Sequence, residues 1–158
     1  MTNYDLEDFT LPDEFILKCA KDHDQAEKEL YRKFIELLTT LQNLKMPAQH
    51  SKIILQKIKD ARQFLVLNKN NLRDGYLIDE VGMRLYKYST EIYDRDADKF
   101  FREYKQSLGN EIKENAEVGD VIEMIANIYK KLSKDEIAAV FKCLTHIVEI
   151  VGATTIKV

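Results

Sequence analysis

Apolar side chains along this chain recur at alternating intervals of three and four, the spacing that gathers them on one face of an α-helix. Leu30, Phe34, Leu37, Leu41 and Leu44 form the first such stripe. Asp24-Gln-Ala-Glu27 stands ahead of it as a variant capping box, and Pro47 follows it. Ile54, Ile58, Ala61 and Leu65 form the second stripe, widened by Ile53, Leu55 and Phe64. The Asn-, Asp- and Gly-rich "NKNNLRDGY" of residues 68–76 then predicts the longest internal loop.

The next segment carries two stripes at once. Ile78, Val81, Leu85, Tyr88 and Ile92 make one; Met83, Tyr86, Thr90, Tyr93, Ala97, Phe100 and Tyr104 make the other. The second keeps its phase through the acidic "DRDAD", so the pattern predicts one long helix over about 76–108, with a kink allowed near Asp96. Such a helix buries two sides and is expected to be the spine of the domain. Gly109-Asn110 would end it. Val118, Val121, Ile122, Ile125, Ile128, Tyr129 and Leu132 mark a further helix. Ser133-Lys-Asp-Glu136 is a full capping box for the last, in which Ile137, Val140, Phe141, Leu144, Ile147, Val148 and Val151 face inward and Gly152 ends the run.

The expected fold is therefore all-α: a bundle of five or six helices around the 76–108 helix, with globin-like packing as an alternative. Residues 1–12 read as an extended acidic arm, 13–152 as a single helical domain and 153–158 as a C-terminal tail. Composition agrees. Five glycines, two prolines and no tryptophan in 158 residues favour long helices over turn-rich sheet. The start of the chain lacks the basic and apolar regions of a signal peptide, and no uninterrupted apolar run approaches the ~20 residues of a membrane span. A cytoplasmic protein without membrane contact is the expectation. Cys19 and Cys143, each inside an apolar pattern, read as buried free thiols.

Charge changes the picture in one respect. Residues 1–40 hold 5 basic and 10 acidic side chains, residues 41–90 hold 9 and 4, and residues 91–158 hold 10 and 13. The basic centre includes Lys45, Lys52, Lys57, Lys59, Arg62, Lys69 and Arg73. Lys52, Gln56, Lys59 and Gln63 share one helical face, which could neutralise a nucleic-acid backbone or simply be solvated.

Two carboxylate pairs raise the question of catalysis. Glu91-Ile-Tyr-Asp94 and Glu117-Val-Gly-Asp120 resemble the paired acidic motifs of the all-helical nucleotide pyrophosphatases, the "EVGD" segment being similar to the second motif. The resemblance implies Mg²⁺ held by Glu91, Asp94, Glu117 and Asp120, although Asp94 stands where that family has Glu. Register opposes it. With the hairpin turn at Gly109-Asn110, the two pairs lie about 12 Å apart along the helix axes. Glu117 and Asp120 then read more simply as first-turn acids that favour the helix dipole. Asp94, Asp96 and Asp98 imitate a calcium loop, but Lys99 and Lys105 occupy its required Gly and Glu positions. No motif calls for a cofactor.

Tyr86, Tyr93, Phe100 and Tyr104 form an aromatic stripe that could be core, a protein interface or the wall of a ligand cavity. The leading functional expectation is a non-enzymatic regulatory or structural interaction protein that acts through helix surfaces and self-associates. A nucleic-acid-binding accessory subunit, a ligand-sensing domain and a Mg²⁺-dependent pyrophosphatase are the alternatives.

Overall fold

A computed structural model describes residues 9–46, 48–71, 75–108 and 117–155. These residues are all-α, with no strand among them. The helices are α1 (Asp13–Lys21), α2 (His23–Gln42), α3 (Ala48–Leu67), α4 (Met83–Tyr86), α5 (Ser89–Tyr93), α6 (Ala97–Leu108), α7 (Glu117–Ala126) and α8 (Lys134–Thr155). A π-helical turn, Leu77–Gly82, leads into α4, and a 3₁₀ turn, Tyr129–Lys131, leads towards α8.

The stripes face the core as their spacing requires. Leu37, Ile58, Leu85 and Ile125, drawn from four different segments, are all buried. The centre of the packing, however, is α8, which touches α1, α2, α4, α5 and the π turn. Its length and apolar composition would suffice to cross a bilayer, and most of that apolar surface is buried against its neighbours. Helix α3 lies at the margin, packed on α2 and α7, while α6 packs on α5 and α7. The Ser133 capping box forms as expected: Glu136 N donates to Ser133 Oγ at 3.1 Å and Ser133 N to Glu136 Oε1 at 3.0 Å. The other Glu136 oxygen accepts from Lys45 N at 2.7 Å, tying the end of the α2–α3 connection to the start of α8.

The expected 76–108 helix is divided at Lys87–Tyr88 and again within "DRDAD", at the place where the pattern allows a kink near Asp96. Arg95 takes the left-handed conformation, φ 56°. Asp96 N reaches back to Glu91 O at 3.0 Å and Arg95 N to Ile92 O at 3.1 Å, the two bonds of a Schellman motif that ends α5. Asp96 Oδ1 then accepts from Lys99 N at 3.1 Å, which makes Asp96 the N-cap of α6. One short acidic run closes a helix and opens the next. A non-glycine residue at positive φ costs roughly 1 kcal/mol. The Arg95 guanidinium, 3.6 Å from the Phe9 ring centroid, makes a cation–π contact that offsets it.

Other boundaries move for similar local reasons. The N-cap of α2 is Asp22, whose Oδ1 accepts from Asp24 N and Gln25 N, so the expected Asp24–Glu27 box does not form. Glu27 instead accepts from Leu77 N at 2.7 Å and caps the π turn. The last helix runs through Gly152 to Thr155, three residues into the expected tail. At the other end of the chain, Phe9 and Leu11 are buried, and Leu11 N donates to Glu149 Oε1 at 3.0 Å. The end of the acidic arm is thus seated on α8. The expected helix end at Gly109-Asn110 lies outside the described residues.

Candidate interaction surfaces

The aromatic stripe is split by the break at Arg95. Phe100 and Tyr104, on α6, are buried. Phe100 meets Tyr88, Phe101, Tyr104 and Phe141 at ring-centroid distances of 5.8, 5.1, 5.8 and 5.7 Å. Tyr86 lies half-buried against Gly152, where an added Cβ would stand 3.2 Å from its ring. Tyr93 is 47% exposed; partial burial and the neighbouring Glu149 charge push its phenol up to about 12. These four side chains therefore form no common surface. A void among Leu37, Leu41, Phe101, Val140 and Leu144 measures only about 10 Å³ and is wholly apolar, too small for a metabolite.

The carboxylate pairs are placed only in part. Glu91 forms an ion pair with Lys99 at 3.4 Å, and Asp94 is exposed in the turn after α5. The Glu117 and Asp120 side chains lie outside the described residues. Among the described residues, no three His, Cys, Asp or Glu side chains are grouped to hold a metal ion. Cys19 and Cys143 are free and buried, and burial raises both thiols.

On α3 the basic residues do not converge. Lys52 and Lys59 are exposed beside Gln56 and Gln63, on the face opposite the core. Lys57 and Arg62, five positions apart, diverge by about 140° onto opposite flanks. Arg62 donates to Gln42 at 3.4 Å, and the Lys69 ammonium stands 5.1 Å over the Tyr31 ring. Lys45 is exposed at the start of the connection to α3. Arg73 lies outside the described residues. The exposed aliphatics of α3 flank this polar face, Ile53 (62% exposed) and Leu67 (67%) on one side and Val66 (54%) on the other.

A second surface was not anticipated. One side of α6 from Ala97 to Gln106, the end of α7, the 3₁₀ turn and the start of α8 enclose an open groove. Arg102, Lys105, Lys130, Lys131 and Lys134 line it, all exposed. Its apolar lining includes the half-buried Ile137, with Phe101 and Leu132 buried behind the surface. Tyr129 stacks on Phe101 with centroids 4.6 Å apart and donates its hydroxyl to Asp98, the one carboxylate of the lining among the described residues. Burial and the Asp98 charge together push this phenol up to about 12.

His146 on α8 makes stability depend on pH in the acid range. Its Nδ1 is buried without a hydrogen-bond partner. Burial first, then Lys33 and Lys142, lower it to about 4, against the opposing pull of Glu36 and the Phe9 backbone. Its folded value lies below its unfolded one, so the unfolded chain binds the extra proton between about pH 6.5 and 4. Stability is complete above that window and falls as pH drops through it. Discounting for partial exposure, the loss is on the order of 1–2 kcal/mol. Urea midpoints at pH 7 and pH 4.5 should show His146→Leu losing less stability on acidification than the parent, by about that amount.

No family model, curated protein or solved structure matches this chain.

Proposed function

We propose that this protein is a non-enzymatic interaction protein that acts through helix surfaces and pairs with a second copy of itself along α3. The observation that carries the reading is on the outer side of α3, where Ile53 and Leu67 are more than half exposed and lie within about 40° of one another around the helix. Single exposed aliphatics are common; two this exposed along one side of a marginal helix are worth covering. An antiparallel pairing centred near Asp60 sets Ile53 of each copy opposite Leu67 of the other. This is the self-complementary arrangement of a two-fold interface. In such a pairing the two Asp60 side chains meet at the two-fold axis, with Lys57 of each copy about one helical turn away. Within one copy Asp60 accepts a side-chain amide, from Gln56 at 3.0 Å.

Size-exclusion chromatography with light scattering, run from low micromolar to high micromolar protein, tests the reading. The expected result is a reversible, concentration-dependent rise from monomer to dimer mass, abolished in Ile53→Glu/Leu67→Glu. Both positions are solvent-facing, so the variant should keep its helical circular dichroism and melting temperature. A monomer across the whole range removes self-association.

A further inference from the structure

The groove between α6 and α8 has a chemistry of its own. We infer that it is a docking site for an acidic amphipathic helix of a partner protein. The inference rests on reading the chain as an interaction protein, but it uses a different face from α3.

Charge is the first argument. Arg102, Lys105, Lys130, Lys131 and Lys134 surround one space, and none has a carboxylate partner among the described residues. Among the described residues the only acid lining it, Asp98, is engaged by the Tyr129 hydroxyl. Five like charges around a concavity repel one another and raise the local concentration of an anionic partner. The chain as a whole carries a net charge of −3, so this basicity is local and not a property of the whole surface.

Shape and floor are the second. The α6 wall from Ala97 to Gln106 is about 14 Å long, two and a half helical turns. Between its cationic residues lie the half-buried Tyr129 and Ile137, with Phe101 and Leu132 buried behind them. An apolar floor between charged rims suits a helix that buries leucines at i, i+4 and i+7 and carries glutamates along its edges. Nucleic acid fits less well. Its phosphates would gain nothing from the apolar lining, and Asp98 would repel them. The aromatic that could stack on a base, Tyr129, already has Phe101 against one face.

Fluorescence anisotropy on the full chain tests this. The probe is a labelled helical peptide of about four turns with leucines on one face and glutamates on its flanks. Three controls accompany it: the same peptide with serine for leucine, a single-stranded DNA and a single-stranded RNA. Micromolar binding to the leucine peptide is expected, weakened at least about tenfold by Arg102→Glu/Lys105→Glu and separately by Lys130→Glu/Lys131→Glu. The serine peptide should bind about tenfold more weakly, and the nucleic acids more weakly than the leucine peptide. Circular dichroism melts of both variants establish that they are folded. No binding of the leucine peptide, indifference to both charge reversals, or equal affinity for the serine peptide would overturn the inference. Tighter binding of either nucleic acid would overturn it too, and assign the groove to that ligand instead. Each of these results leaves the α3 self-association measurement untouched, so the two readings fail independently.

Discussion

Phe100→Ala is expected to lower the free energy of unfolding by about 4 kcal/mol. Phe100 is fully buried and meets four other rings, on the α4–α5 turn, on α6 itself and on α8. Truncation removes the transfer energy of the ring. It also leaves a cavity whose walls are aromatic side chains from three elements, which cannot all move inward together. The edge-on contact with Phe141 at 75° and that with Tyr88 at 83° add about 1 kcal/mol each beyond burial, and both vanish. For a chain of 158 residues, a loss of this size lowers the melting temperature by about 8–16 °C. Urea denaturation with an unchanged slope is the check. A loss below about 1 kcal/mol would mean that α6 is not held where the structure has it.

Gly82→Ala should also destabilise, against the direction that helix propensity gives. An alanine in a helix interior is ordinarily favoured over glycine by about 1 kcal/mol. Gly82 ends the π turn and faces α8, where an added Cβ would stand 2.5 Å from Val151 Cγ2 and 3.1 Å from Leu77 O. The valine is β-branched on a helix and has little rotameric freedom. The second obstacle is backbone. Overpacking of this kind costs about 1–3 kcal/mol and occasionally more, so a net loss of about 2 kcal/mol is expected. Val151→Ala in the same chain should restore part of it by removing the nearer methyl. Equilibrium unfolding of the single and double variants reads both effects; a stabilising Gly82→Ala would show that α8 does not approach the π turn this closely.

The parts of this molecule that were legible in its sequence are those set by repeated burial. Leu30 to Leu41 and Ile54 to Leu65 each give several independent apolar positions in phase, and all of these are buried. Of the breaks, only a kink near Asp96 was legible, because each is set by one residue or a few. The phase through "DRDAD" survives although the helix does not. Arg95 in the left-handed region and Asp96 as an N-cap together re-start the next helix with Phe100 and Tyr104 still facing the core. Glu27 looked like the closing residue of a capping box, yet it bonds fifty positions away, a pairing that no local pattern carries.

The surfaces follow the same division. A basic centre could be counted over residues 45–73, but Lys57 and Arg62 point away from each other on α3. The groove draws Arg102 and Lys105 from one helix and Lys130, Lys131 and Lys134 from a turn and a helix start some thirty positions on. The short run Lys130-Lys-Leu-Ser-Lys134 was the only trace of it in the sequence, and nothing there places it beside α6. The exposure of Ile53 was equally hidden, since in sequence it only widened the α3 stripe.

The most direct test of self-pairing through α3 uses single-cysteine variants. Ile53→Cys and Leu67→Cys are each prepared in a Cys19→Ala/Cys143→Ala background shown to be folded. They are then mixed and oxidised at the concentration where light scattering reads dimer. Antiparallel pairing predicts that the mixed disulfide, joining position 53 of one copy to position 67 of the other, dominates over either homodisulfide. Like residues would lie about 20 Å apart across such an interface, as the fourteen-residue spacing requires. Absence of any cross-linked dimer, or a dominant product joining the two copies through position 53 on both sides, would contradict it.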